Sequence, residues 1–222
     1  MFKLILLFSL LLSTSLSKDL NSVHWNTVSF PPSLIPSGTL KNQGYSDVVR
    51  NTIIEELSSF KSYIEVGNSK LAIINLKRLQ NGCFSGLNMN SKRKEFVEFS
   101  YPIIYSLPNE ITIKKENIIK FKKYITNKNE IDLFQLLKDD KLFFGYVDSR
   151  SYNNHIDELI DKFKSNKKIF SRKGSDLTKG LLQMLAFGRL DYIIEYPTMV
   201  KYTKKKHKIQ ADFIQYPIKN AS

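Results

Sequence analysis

The residues best suited to chemistry in this 222-residue chain are ones that grip an anion rather than ones that break a bond. Arg93, in the polar turn Ser91–Glu95, carries a planar guanidinium that can hold a carboxylate through two parallel charge-assisted hydrogen bonds. Lys92 and Lys94 flank it, so a solvated basic turn is the alternative reading of the same residues. Further along, Ser149, Ser151 and Tyr152 directly precede a helical pattern beginning near Asn154. Backbone N–H groups at a helix start bind anions readily, and plain N-capping by Ser151 or Asn153 competes with that use. A small anionic or zwitterionic ligand needs such partners, because a bare carboxylate or ammonium is costly to strip of water.

Catalytic machinery is sparse. His24, His155 and His207 are scattered, with no pair four apart beside a glutamate, and there is no phosphate loop, dinucleotide fingerprint or Gly-x-Ser-x-Gly elbow. Neither a metal nor a cofactor is expected. Arg93 and Glu195 in one pocket could do acid–base chemistry, which keeps an enzyme as an alternative of another class. The single cysteine, Cys83, has no partner for an intramolecular disulfide and reads as a small buried hydrophobe, with a reactive thiol as the alternative.

The elements that must position these residues alternate between strand and helix. His24–Phe30 alternates and is rich in β-formers, with Trp25 read as packing in the core beneath it, and Pro31-Pro32 ends it. Asp47 is placed to cap a helix reaching about Phe60, with Val48, Ile53, Ile54 and Leu57 as its apolar side. A short strand at Tyr63–Val66, a helix over Ser69–Asn81 and a strand or turn at Cys83–Gly86 follow. After the β-branched stretch Ile103–Ile113 the arrangement repeats: a helix at Ile131–Leu137, a strand at Phe143–Val147 and a helix at Asn154–Lys164. Then come a strand at Lys168–Ser171, a helix at Asp176–Phe187, a strand at Asp191–Glu195 and a helix at Thr198–Lys204, with an extended tail at Ile209–Pro217. Two successive α/β units imply two lobes, and ligands of such folds bind at the carboxyl ends of the strands.

The N-terminus reads as a secretory signal peptide at Met1–Ser17, with Lys3, the apolar run Leu4–Leu12, and Ser15 and Ser17 before the cut. The run is about nine residues, against about 20 for a membrane span. Cleavage leaves about 205 residues, enough for one large domain or two small ones. Charged residues at 25% and hydrophobic ones at 42% suit a globular protein. The net charge of +13 is spread over short lysine runs, such as Lys114–Lys115 and Lys204–Lys208. With an export signal present, it points away from nucleic acid and toward attraction of anionic solutes, with peripheral contact to anionic envelope surfaces at most.

Three blocks carry a resemblance: GYSD after the first strand, GLNMNSKRKEFVEFSYP in the first half, and GRLDYIIEYP late in the chain. Over about residues 22–218 the chain resembles the extracellular solute-binding protein family 3, the amino-acid receptors of ABC importers. The resemblance implies an α/β, two-lobed fold of the type 2 periplasmic-binding-protein class, each lobe a mixed sheet flanked by helices, joined by two crossover strands. Signal peptide 1–17, first lobe 18–107, second lobe 108–208 and a return crossover at 209–222 are the boundaries it suggests. It places the carboxylate clamp at Arg93, backbone donors near Gly86, a side-chain donor at Asn88, and the aromatic rings of Phe30 and Tyr45 toward the cleft. Where amino-acid receptors usually carry an aspartate after the late strand this chain has Tyr196, so either Glu195 supplies the ammonium partner or the ligand has no α-ammonium group. Family members continue beyond the second crossover, whereas this sequence ends at Ser222, and an incompletely covered first lobe is the expectation.

The function implied is that of a monomeric periplasmic receptor, not an enzyme, that captures a small anionic or zwitterionic solute, with an ABC permease as the partner the resemblance supplies. A non-transport envelope protein with a degenerate pocket, used for interaction or sensing, and a periplasmic dehydratase-like enzyme are the alternatives.

Overall fold

The computed structural model describes residues 21–148, 150–174 and 176–221, so the signal-peptide segment lies outside the described residues. Two sheets organise the chain. The first uses β1 (Ser22–Val28), β2 (Lys61–Gly67) and β3 (Gly82–Phe84), connected by α1 (Tyr45–Glu56) and α2 (Ser69–Arg78). Its order is β2-β1-β3 and both pairings are parallel. It is therefore an all-parallel sheet, not the mixed one expected, because each return to it passes through a helix and a helical crossover restores strand direction.

After the short helix α3 (Ser91–Lys94), residues 95–109 carry neither helix nor strand. The β-branched stretch Ile103–Ile113 is a strand only in its second half, β4 (Glu110–Lys114). Its first half leaves Tyr101, Ile103, Tyr105 and Leu107 exposed. The second sheet adds β5 (Phe144–Val147), β6 (Ile169–Arg172), β7 (Tyr192–Glu195) and β8 (Phe213–Pro217) in the order β6-β5-β7-β4-β8. β5 runs parallel to both β6 and β7, while β4 is antiparallel to β7 and β8. Residues 213–217, within the tail 209–222 expected as the return crossover, form the edge strand of the second sheet, held by pairing from Lys114↔Phe213 to Glu110↔Pro217. The last described turn stays there too, because Asn153 Nδ2 donates to the Ala221 carbonyl at 2.9 Å.

Helices cover both faces of the second sheet: α4 (Ile118–Phe121), α5 (Leu133–Lys138), α6 (Asn154–Phe163), α7 (Leu177–Ala186) and α8 (Pro197–Lys206). One face packs Ile111, Ile113, Phe144, Tyr192 and Ile194 against Phe121, Leu136 and Ile156. The other packs Val147 and Ile193 against Leu181, Leu185 and Val200. All four residues of β7 are buried, as a central strand covered on both faces requires. Gly145 lets β5 approach α7 closely, since a Cβ there would stand 3.0 Å from Leu181 Cδ2.

The first lobe is held differently. Its apolar core is small, Val28, Leu34 and Ala72 with Phe30 and Phe84 against them. Trp25 is buried in β1, its indole N–H donating to Ser62 Oγ at 3.3 Å. The apolar stripe read onto α1 does not face that core: Val48 and Leu57 are exposed, and the buried positions are Ser46, Asp47 and Arg50. Gly44, not Asp47, is the N-cap, and a Cβ there would stand 2.1 Å from the Ser33 carbonyl oxygen. Asp47 instead accepts hydrogen bonds from Gly44 N at 3.2 Å and Ile35 N at 2.7 Å while pairing with Arg50 at 2.8 Å. Both charged side chains have no exposed surface. Replacing Asp47 with Ala leaves the Arg50 guanidinium buried and uncompensated, and we expect urea unfolding to show a loss of about 3–5 kcal/mol.

Candidate functional site

The carboxyl ends of the parallel strands in both sheets face one another, and the loops leaving them build the site. β1 leads to Phe30, β3 to Gly86, Asn88 and α3, β5 to Arg150, Ser151 and Tyr152, and β7 to Tyr196. Contacts cross between the lobes here. Asn88 Nδ2 donates to the Tyr196 hydroxyl at 2.9 Å and Asn90 Nδ2 to Ser151 Oγ at 3.1 Å. The Phe30 ring meets Tyr196 edge-on at 6.1 Å, and the Arg150 guanidinium lies 5.0 Å from the centre of the Phe30 ring.

Between these contacts and α6 lies a cleft of about 330 Å³, at the lower end of the range for small-molecule sites. Arg93, Ser151 and Tyr152 line it together with Asn90, Tyr146 and Arg150. Asp148, Asp157 and Asp161 supply carboxylates to its wall, and Lys92 and Lys164 supply ammonium groups. Of the other residues expected at the site, Phe30 and Asn88 stand beside it in the interlobe contacts and Glu195 is held within the second lobe; none lines the open volume, because Arg150 and Tyr196 engage them. Gly86, at φ 97°, forms the turn that carries the chain from β3 toward Asn88, and a Cβ there would come within 3.3 Å of Ser46 Oγ. Tyr45 is exposed on the first turn of α1 and does not line the cleft, because that helix turns its polar side inward. Ser149 lies outside the described residues.

Arg93 is positioned by its own short helix. Asn90 caps α3, its side-chain oxygen accepting from Arg93 N at 2.9 Å, and Arg93 Nη1 donates to the Asn88 carbonyl at 2.6 Å. Partial burial lowers the affinity of its guanidinium for the proton, opposed by the negative charge of Asp157. The start of α6 is already satisfied from within. Asn153 is its cap, accepting from Ile156 N at 2.8 Å. Asp157 accepts from Tyr152 N at 2.9 Å and from Ser151 Oγ at 2.6 Å. The donors that sequence reasoning offered to a ligand therefore hold an internal carboxylate.

Arg150 is the residue that sequence reasoning missed. Its Nη1 donates to Glu195 Oε1 at 2.5 Å and its Nη2 to Thr178 Oγ1 at 3.3 Å. Thr178 in turn donates to Glu195 Oε2 at 2.6 Å, and Tyr196 N donates to Oε1 at 3.0 Å. Burial works against the Arg150 charge, but the facing Glu195 carboxylate outweighs it and the guanidinium binds its proton more tightly than usual. Burial also pushes the Tyr152 phenol well above its ordinary range, and its oxygen accepts from Val147 N at 2.9 Å. One signal for Arg150 was present in the chain: a glutamate at the end of the apolar strand Tyr192–Glu195 must be paired if it is buried, and the pair needs a cation from a neighbouring strand end. Cys83 is half-buried, and burial raises its thiol, as a packing role rather than a reactive one requires.

No family model and no curated protein matches the chain. Solved structures do. An ancestral arginine-binding protein bound to glutamine superposes with a TM-score of 0.61 at 17% identity, covering 91% of this chain and 80% of that one. An amino acid ABC transporter substrate-binding protein from Streptococcus pneumoniae, bound to L-arginine, gives 0.59 at 16% identity over 89% of this chain and 74% of the other. A histidine kinase sensor domain with similarity to periplasmic binding proteins gives 0.63 at 14% identity, over 90% and 78%. The fold is that of the two-lobed periplasmic binding proteins. Among the described residues no helix is long and apolar enough to cross a membrane.

The Arg150–Glu195 pair makes a specific demand on stability. Glu195→Gln leaves a buried guanidinium without its counter-charge and should cost about 3–5 kcal/mol. Glu195→Gln combined with Arg150→Met should cost less than the sum of the two single changes. A urea double-mutant cycle reads that coupling directly.

Proposed function

We propose that this protein is an exported solute-binding protein that captures a small anionic or zwitterionic molecule in the cleft between its lobes. The observation that carries the reading is Arg93. It is a half-buried guanidinium at the wall of an interlobe cleft, oriented by Asn88 and Asn90, with no carboxylate within 4.0 Å among the described residues. A guanidinium held this way presents its remaining N–H edge to a ligand carboxylate with little rotamer freedom left to lose. The fold supports the same use, since several proteins sharing it are described as binding amino acids.

In this reading the lobes close on the solute, with Lys92 and Arg93 meeting it from the first lobe and Arg150 from the second. The protein is then periplasmic, which the signal-like pattern of residues 1–17 supports, and an ABC permease is the partner to which it would deliver its cargo. A receptor role in sensing is the second reading, favoured by the likeness to a histidine kinase sensor domain. It uses the same pocket with a different downstream partner. Binding without turnover is the chemistry in both.

Thermal unfolding against a library of amino acids and organic acids tests the proposal. A ligand at one hundred times its Kd stabilises a protein that binds it only when folded by about 2.7 kcal/mol, or roughly 5–10 °C at this chain length. We expect a saturable shift with one ligand class. Arg93→Ala should abolish it, and Arg93→Lys should not restore it, because an ammonium lacks the two-pronged geometry. A well-folded protein that no compound shifts would overturn the receptor reading.

A further inference from the structure

We infer that Arg150 sets the ligand class of the cleft: its guanidinium fills the cation end of the site, so the ligand is a small carboxylate that lacks an α-ammonium group. The inference rests on the solute-binding reading above and narrows it.

A ligand ammonium needs a carboxylate with acceptor capacity to spare. Glu195 has no exposed surface, and its oxygens already accept from Arg150, Thr178 and Tyr196 N. Arg150 lines the open cleft while Glu195 does not, so the guanidinium stands between that carboxylate and any ligand. The ring of Phe30 lies 5.0 Å from the same guanidinium and that of Tyr152 lies 5.8 Å away. The side chain is thus stacked and ion-paired in the way a bound cation would be. The other carboxylates of the wall are engaged as well. Asp157 takes Ser151 Oγ and Tyr152 N, Asp161 pairs with Lys164 at 3.1 Å, and Asp148 pairs with Lys173 at 3.5 Å. Against them stand Lys92 and Arg93, neither with an ion pair among the described residues, and Arg93 has Nε and Nη2 free of protein partners there. The cleft thus offers two unpaired cations, against which Asp157, held only by neutral donors, is the one lining carboxylate without an ion pair among the described residues, so positive charge is in excess. An α-amino acid would bring its ammonium into that excess of positive charge beside Arg150, whereas the same molecule without the amino group would not.

Matched pairs differing only in that group test the inference on the purified protein: succinate against aspartate, glutarate against glutamate, propionate against alanine. Isothermal titration should give at least one carboxylate that binds at least tenfold tighter than its amino counterpart. Arg150→Ala exposes Glu195 to the ligand and should shift that ratio at least tenfold toward the amino acid. Arg150→Gln, which keeps a hydrogen bond to Glu195, serves if the alanine variant does not fold, and should shift the ratio in the same direction. Tighter binding of the amino acids by the unsubstituted protein would overturn the inference and leave the receptor reading standing. An unchanged ratio in the folded Arg150 variants would overturn the role given to Arg150. No binding of any pair member would overturn the inference, while the receptor reading is decided by the wider thermal-unfolding library.

Discussion

Burying a carboxylate at the end of a central strand imposes the constraint around which this protein is arranged. β7 is covered on both faces, and the chain places Glu195 at its last position, where water cannot reach it. An unpaired carboxylate there would cost several kcal/mol. Arg150, at the end of the neighbouring strand β5, removes that cost, with Thr178 and the Tyr196 amide taking the remaining lone pairs. Because the guanidinium must reach Glu195, it lies across the floor of the cleft and against Phe30 of the other lobe. One pairing therefore ties the second sheet, the contact between lobes and the electrostatic character of the site together.

The two lobes solve the problem of internal order by different means. The second has two continuous apolar layers on a five-stranded sheet. The first has three strands, a small apolar cluster and a buried polar knot at the start of α1, where Asp47 pairs with Arg50 and Ser33 hydrogen-bonds Ser46. Such a knot fixes geometry more than it adds stability, since desolvating its charges offsets much of what their attraction contributes. Apolar side chains remain exposed on the first sheet and in the connector, among them Tyr63, Val66, Tyr101 and Tyr105. The rigid partner is thus the second lobe, and the loops of the first are held against it by the short polar contacts of Asn88 and Asn90.

Element type and order were legible in the chain because the local signals agreed with the tertiary result. The β-rich runs at 143–147 and 191–195 and the amphipathic pattern at 154–164 fall within a residue or two of β5, β7 and α6. Two elements went astray for physical reasons. On α1 the hydrophobic stripe was assigned to the core, but the polar side is buried because Asp47 and Arg50 neutralise each other there. Over 103–109, the first half of the β-branched stretch Ile103–Ile113, the residue types suggested strand, yet β-propensity expresses how well a side chain fits a paired, half-buried surface, and this stretch pairs with no strand among the described residues.

By itself the sequence determined the alternation of strands and helices, the two-lobed class, and the presence of a guanidinium at Arg93 beside a turn suited to hold it. It also determined that Glu195, not an aspartate one position later, ends the late strand, and so that a usual amino-acid site was in question. Only the tertiary structure decided what faces what. It brought Arg150 to Glu195 from 45 residues away, turned Asp157 onto the donors at the start of α6, and set β8 on the edge of the second sheet. These outcomes depend on charge compensation and strand pairing between distant segments, and pairing energies of that kind are set by distance and burial, which no local pattern of residue types encodes.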